Sequence, residues 1–324
     1  MKSPFHAGEI AVQTRAGVLE AARHVGGVIR PEIPEQARSF LAGQQLAVMG
    51  TVDARGRPWA SLLTGERGFV RATGPRTLYL GAHPEDDPLA GTLAAAHAAG
   101  TPVDAGVVVI DLATRRRLRV NGAAETAADG GIILQVRHAF WICPKYIQAR
   151  VVEPHPPADP PEEGPPPSWR SGLTDAQRAW IARADTFFIA TAHPTAGADA
   201  SHRGGEPGFV QLSRNAAGGD VLVFPDYPGN NMFNTFGNLA IDPAAGLLFI
   251  DFDSGATLQL TGTAQVLWER EEFAAFPGAR RAVSFRVAEA LESPQGTRLR
   301  WRLIQRSPFN PPPPRAHGDT EAQR

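Results

Sequence analysis

Apolar residues fall in two rhythms along this chain. Between residues 7 and 28, Ile10, Val12, Leu19, Ala22 and Val25 recur at helical spacing and predict one amphipathic N-terminal helix. Pro34 then opens a short helix over PEQARSFLA. From there the apolar residues come in short runs separated by turn residues, which predicts strands. LAVMGTVD and WASLLTG flank the turn ARGRP, RTLYLG is a third strand, and GVVVIDL and RRLRVNGAAE form a hairpin. GIILQVRHAF follows, and CPKYIQAR closes the unit. An Ala-rich helix, PLAGTLAAAHA, interrupts this series.

The series then repeats. TDAQRAWIARA predicts a helix, FFIATA, GFVQLS and DVLVFP predict strands, and DASHRGG predicts a strand with a polar loop. MFNTFGNLAI predicts a helix, GLLFIDF/TLQLTGTAQVLW a hairpin, EEFAAF a short helix, and AVSFRVAEALE and RLRWRLIQR two last strands. Residues 51–70 align without a gap on residues 191–210 at an offset of 140 (Thr191 on Thr51). Thr51, Ala60, Ser61, Gly65, Glu66, Gly68, Phe69 and Val70 are identical in both copies. The same offset brings Ala105, Gly106, Ile110 and Asp111 onto Ala245, Gly246, Ile250 and Asp251. A tandem duplication of one β-rich domain follows, each copy a closed or nearly closed antiparallel barrel. The predicted units are 1–152 (N-terminal helix and first barrel), a Pro-rich linker over 153–168, the second barrel over 169–310 and a disordered tail over 311–324.

Composition narrows the class of function. The formal net charge of −1 offers no basic field to nucleic acid or to an anionic membrane. Cys143 is the only cysteine, so no intrachain disulfide and no thiolate metal site is available. The first residues lack the apolar run of a signal peptide and no stretch approaches ~18 apolar residues, which predicts a soluble cytoplasmic protein. Lys2 and Lys145 are the only lysines in an Arg-rich chain.

Three clusters are candidates for chemistry. Ser201, His202, Arg203 and Gly204 read as a loop that offers a hydroxyl, an imidazole, a guanidinium fork and close backbone approach to one anion. A solvated turn on a barrel rim is the alternative. Pro225, Asp226, Asn230, Asn231 and Asn234 lie where a loop enters a helix, a second place for an anion. The first copy has Leu62, Leu63 and Thr64 opposite His202, Arg203 and Gly204, and carries Glu85, Asp86 and Asp87 in its matching loop. Both clusters are therefore lost together in the first half, which points to one site held by the second. Cys143 and Lys145, in CPKY, form the third cluster, and a buried small hydrophobe is the other reading of that cysteine. Trp59 stands at a turn-to-strand position, where packing is the commoner role for such a ring.

ATAHPTAGADASHRGGEPGFV (190–210), FPDYPGNNMFNTFGNLAIDPAAGLLFIDF (224–252) and CPKYIQAR (143–150) resemble the pyridoxamine 5′-phosphate oxidase-related, FMN-binding split-barrel family, in its flavin-nucleotide-binding branch. The resemblance implies a mainly β fold with short helices (α+β): two tandem split barrels forming an intrachain pseudo-dimer. It implies that FMN phosphate meets Ser201 and Arg203, with Asp226, Asn230 and Asn231 beside it. Many members carry basic residues where Asn231 stands. The isoalloxazine is expected to face the first half near Trp59 or the CPKY segment. The activity implied is that of an oxidoreductase with an unknown small-molecule substrate or reductant. A non-catalytic flavin sensor, or a haem- or deazaflavin-binding relative, are the alternatives, with His202 the nearest haem-ligand candidate. No Gly-rich dinucleotide fingerprint is present, so a nicotinamide would dock only transiently. A monomeric pseudo-dimer or a homodimer both satisfy the pairing.

Overall fold

A computed structural model describes residues 3–154 and 165–313. Most of the predicted Pro-rich linker and most of the predicted disordered tail fall at 155–164 and 314–324, outside the described residues. The first half contains α1 (Ala7–Arg15), α2 (Leu19–Gly26), α3 (Ala37–Ala42), β1 (Leu46–Val52), β2 (Pro58–Thr64), β3 (Val70–Gly74), β4 (Thr77–Leu80), α4 (Pro88–Ala99), β5 (Val103–Asp111), β6 (Arg116–Thr126), β7 (Ile132–Ile142) and β8 (Ala149–Val152). The second contains β9 (Ser168–Arg170), α5 (Asp175–Arg183), β10 (Thr186–His193), β11 (Gly197–Gly204), β12 (Gln211–Arg214), β13 (Asp220–Asp226), α6 (Asn234–Leu239), β14 (Ala244–Ile250), β15 (Thr257–Leu267), β16 (Arg281–Ser293) and β17 (Trp301–Gln305).

The two main sheets run β2-β1-β5-β6-β7-β4-β3 and β11-β10-β14-β15-β16-β13-β12, the same order strand for strand. Both are antiparallel, and each has a register shift at an equivalent place, Asn121/Gly122 on β6 and Thr261/Gly262 on β15. The fold is thus mainly β with short helices, two split barrels in one chain.

How the barrels pair explains the unbroken apolar runs. Successive strand residues face opposite ways. Ala47 and Met49 of β1, and Val107 and Val109 of β5, fill the first barrel. Phe187 and Ile189 of β10, and Leu247 and Phe249 of β14, fill the second. The intervening Val48, Val108, Phe188 and Leu248 meet in a third cluster between the barrels. These four strands are buried on both faces, so no polar alternation survives in their sequence. Residues at the end of the chain add a clasp. β17 leaves the second barrel and pairs with β8 of the first, Trp301 opposite Val152. Gln148 accepts hydrogen bonds there from Ser307 N (2.8 Å) and Asn310 Nδ2 (3.1 Å).

The N-terminal segment departs from the single helix its periodicity predicts. Gly17, with φ 70°, turns the chain and separates α1 from α2. A capping box between His6 and Glu9 starts α1. The helix packs on α6 of the second half, where Gly8 and Gly237 face each other. A Cβ on Gly8 would strike the Gly237 carbonyl, and one on Gly237 would strike Glu9. The helix over MFNTFGNLAI begins later than predicted because Asn231 and Phe233 adopt left-handed φ values of 62° and 59°. Among the described residues no helix is long and apolar enough to cross a membrane.

Candidate functional site

Ser201, His202, Arg203 and Gly204 are not a loop. They are the last residues of β11, at the open edge of the second sheet. Strand alternation sends Ser201 and Arg203 to one face and His202 to the other. Arg203 lies toward α6, its guanidinium carbon 5.9 Å from the Phe236 ring centre. His202 packs edge-on to Phe188 of the inter-barrel cluster, ring centres 5.5 Å apart. Gly204 lacks a side chain because the Tyr146 carbonyl passes where a Cβ would stand.

The facing wall comes from the first half. Arg117 and Arg119, two apart on β6, point the same way out of the first barrel, while Leu118 and Val120 fill its core. Arg119 Nη1 donates to Asp199 Oδ2 (2.9 Å) and Asn234 Oδ1 (2.8 Å), and its Nη2 donates to Ser201 Oγ. Thr235 Oγ1 lies 3.1 Å from the same serine oxygen. Asn121 Nδ2 holds the other Asp199 oxygen at 2.7 Å. Arg117 Nε donates to the Cys143 carbonyl (3.0 Å), its Nη1 contacts His202 Nδ1 (2.9 Å), and its Nη2 lies 3.9 Å from Cys143 Sγ. A guanidinium only donates, so Nδ1 is the acceptor and the neutral imidazole carries its proton on Nε2. Burial and the neighbouring Arg117, Arg203 and Arg150 hold the His202 pKa well below the ordinary histidine value, which keeps the ring neutral.

Between these walls lies a cavity of about 440 Å³, within the range of small-molecule sites. Ser201, His202, Arg203, Gly204, Pro225, Asp226, Asn230, Asn231, Asn234, Cys143 and Lys145 all line it. Ala16 and Val18, between α1 and α2, line it as well. The N-terminal segment is tied down beside it: Gln13 Nε2 donates to the Met232 carbonyl (2.9 Å), and Asn234 Nδ2 donates to Glu9 Oε1. Burial raises the Glu9 pKa to about 7, against the lowering effect of its hydrogen bonds to His6 and Asn234.

The lining is cationic: Arg117, Arg119, Arg203, Arg280, Arg281 and Lys145, against the single carboxylate of Asp226. Burial raises the Asp226 pKa to about 6, although Arg281 and Arg203 both oppose that shift. Burial, with Arg203 and Arg119 nearby, lowers Arg117 to about 10, so it stays charged at neutral pH. Arg281 Nε lies 3.0 Å from Asp226 Oδ2 but is not aligned to donate. Among the described residues, Arg119 Nε, Arg281 Nε and Nη1, and His202 Nε2 are buried without a hydrogen-bond partner. Buried donors without acceptors are costly, and these four belong to residues that line one cavity, whereas Arg150 Nη1, also unpartnered, lies outside it.

Trp59 does not line this cavity. It is fully buried, donates to Asp53 Oδ2 (3.0 Å) and packs edge-on to Trp169 with ring centres 5.5 Å apart. The reason lies in the duplication. Its counterpart at the 140 offset is Asp199, so the pseudo-twofold carries Trp59 to the opposite cleft. That cleft is chemically different. Gln259 and Thr257 of β15 stand where β6 has Arg119 and Arg117. Ser61, the counterpart of Ser201, donates to Asp87 (2.6 Å) and lies 3.3 Å from Gln259 Nε2. Asp87 also caps α4 by accepting from Leu89 N (2.7 Å).

Arg117, Arg119, Arg281 and Glu9 are the site-forming residues that motif reasoning missed. For the two β6 arginines a signal was present: RRLRV sets Arg117 and Arg119 on one strand face, and the repeat offset pairs them with uncharged Thr257 and Gln259.

Residues 173–303 match the family described as pyridoxamine 5′-phosphate oxidase. No curated protein matches the chain. Among solved structures, a protein from Lactobacillus delbrueckii provisionally assigned as a pyridoxamine 5′-phosphate oxidase is 13% identical, with 37% of this chain and 94% of that one covered and a TM-score of 0.30. A Clostridium acetobutylicum protein of the pyridoxinephosphate oxidase family, related to general stress protein 26, is 12% identical, with coverage of 40% and 92% and a TM-score of 0.27. HutZ, the haem storage protein of Vibrio cholerae, is 11% identical, with coverage of 36% and 89% and a TM-score of 0.24.

Proposed function

We propose, from the premise that this chain is related to the pyridoxamine 5′-phosphate oxidase family through its second half, that it is an FMN-binding oxidoreductase with one composite flavin site between its halves. The observation that carries this reading is the cationic cavity with its unpartnered buried donors. Ser201, Arg203 and Arg119 are suited to hold the phosphate, since a hydroxyl and two guanidinium forks converge on one strand face. Asn230, Asn231 and Asn234 border the same space and add amide groups. Bound FMN would supply the redox chemistry, while these residues bind and orient it and the α1–α2 segment screens it from water. From the first half, β6 and the CPKY segment meet the ligand, and Trp59 does not.

A haem reading has less support. Neutral His202 presents Nε2–H, and its Nδ1 lone pair is taken by Arg117, so neither nitrogen is free to ligate iron without breaking that pair. The opposite cleft, with Gln259, Thr257 and Asp87, supports one flavin per chain rather than two.

The test is an absorbance titration of the purified protein with FMN, on wild type and Arg203→Ala. We expect flavin bands perturbed at one equivalent per chain, with affinity at least about tenfold weaker in the variant. No perturbation in wild type rejects the assignment. A Soret band in the purified protein would favour haem.

A further inference from the structure

Four arginine side chains are buried among the described residues: Arg117, Arg119, Arg150 and Arg281. Three of them have a carboxylate within 3.0 Å, respectively Asp199, Asp185 and Asp226. Arg117, only 6% exposed, has none. Its three neighbours are the Cys143 carbonyl, the Cys143 thiol and the acceptor nitrogen of His202. A buried cation without a counter-ion is strongly unfavourable unless an anion completes it.

A second unanswered donor stands beside it. His202 is 4% exposed, and the tautomer that Arg117 imposes leaves Nε2–H buried with no acceptor. Both residues line the cavity, with Lys145 on the same stretch of chain as Cys143. This group differs from the proposed phosphate cradle in its partners: Arg117 holds the Cys143 carbonyl and His202, whereas Arg119 holds Asp199, Asn234 and Ser201, and His202 leaves the opposite face of β11 from Ser201 and Arg203. The duplicated copy makes the same division. Thr257 replaces Arg117 and Leu62 replaces His202, so the opposite cleft has lost both members together.

We propose that Arg117, His202 and Lys145 form a second anion subsite, separate from the Ser201–Arg203 cradle, that receives the carboxylate or phosphate of a small-molecule substrate. Its place beside a flavin rests on the reading above, whereas the subsite itself stands on the unpaired Arg117. Arg117 supplies the fixed charge, His202 a directed neutral donor, and Lys145 a mobile ammonium at the rim. The substrate class that fits is a small organic anion, held by its charged end in the first-half wall.

Calorimetric titration of the FMN-saturated full chain with inorganic phosphate, and separately with acetate, tests this. We expect one anion to bind per chain, Arg117→Met to weaken it at least about tenfold, and FMN affinity to fall clearly less than in Arg203→Ala. Lys145→Met, at a solvent-reachable position, should weaken the anion while leaving the melting curve unchanged, which keeps the test meaningful if Arg117→Met misfolds. Preference for phosphate would identify phosphorylated substrates, and preference for acetate would identify carboxylates. Failure of the FMN-saturated protein to take up either anion overturns the subsite. So does an Arg117→Met variant that loses FMN as severely as Arg203→Ala, since Arg117 would then serve the flavin. If FMN does not bind at all, the flavin reading fails, and the same anions are titrated into ligand-free Arg203→Ala. Loss of binding on adding Arg117→Met then still supports the subsite, and unchanged binding rejects it.

Discussion

Arg119 of the first barrel and Asp199 of the second form a buried ion pair, 2.9 Å apart, in the wall of the cavity that Arg119 lines. The pair joins β6 of one copy to β11 of the other. Arg119 also reaches Ser201 and Asn234, so it sets the geometry of two elements of the other barrel. Removing one partner of a buried pair leaves an uncompensated charge. Arg119→Met is expected to destabilise the fold by about 3–5 kcal/mol, measured by urea denaturation. Arg119→Gln, which copies the Gln259 of the other cleft, should lose less stability yet still weaken FMN by at least about tenfold.

Stability should depend on pH through Glu9. Its pKa is about 7 in the folded chain against an ordinary 4.5, so between those values the folded state holds more protons than the unfolded one. Stability then falls as pH rises from about 4.5 to about 7 and is level above, by up to about 3 kcal/mol from this group. Asp226, raised to about 6, adds a slope of the same sign over a lower window. Denaturation series at stepped pH on wild type and Glu9→Gln check this. The variant should lose the upper part of the slope and keep the Asp226 part.

The inter-barrel cluster should make unfolding one event. Phe188 is fully buried between the barrels with Val48, Val108 and Leu248 around it. Phe188→Ala is expected to cost about 3–5 kcal/mol, and the whole chain should melt in a single transition by both tryptophan fluorescence and circular dichroism. Two separate transitions would show that the halves are independent.

Light scattering after gel filtration should give the mass of one chain, because the pairing surface is already filled from within. The apolar faces of β1, β5, β10 and β14 are used up against one another. A dimer mass would locate a further interface elsewhere.

Gly237→Ala places a methyl against Glu9 at the α1–α6 crossing. We expect the N-terminal helices to lift from the cavity. Limited proteolysis within residues 7–26 should accelerate several-fold, with loss of flavin affinity as the wall at Ala16 and Val18 departs.

Much of this architecture was legible in the sequence, and what escaped did so for a physical reason. The offset that joins Thr51 to Thr191 anticipated two copies, and the matching strand orders follow it. Apolar runs such as VVVI and LLFI gave strands correctly, since burial on both faces leaves no alternation to mislead. Ser201–Gly204 reads as a loop in sequence because a Gly-containing polar stretch at a sheet edge carries the same composition as a turn. The N-terminal helix was overextended because periodicity does not register the one left-handed residue, Gly17. Arg117 and Arg119 escaped for a subtler cause. The loops of the first copy lack both anion clusters, but each cleft borrows a strand from the other copy. A half that lacks the Ser201–Gly204 motif still supplies the two arginines that face it across the cavity.

The contrast between Arg119 and Gln259 has a consequence for how such a protein can change. In an assembly of two identical chains, every substitution in one cleft is repeated in its twin. Here the twin positions are encoded separately, so one cleft carries Arg117 and Arg119 while the other carries Thr257 and Gln259 and ties Ser61 to Asp87 and Gln259 by hydrogen bonds. Joining the copies end to end released each cleft from the obligations of the other. A substitution can then alter the charge of one cleft and leave its mirror image as it was.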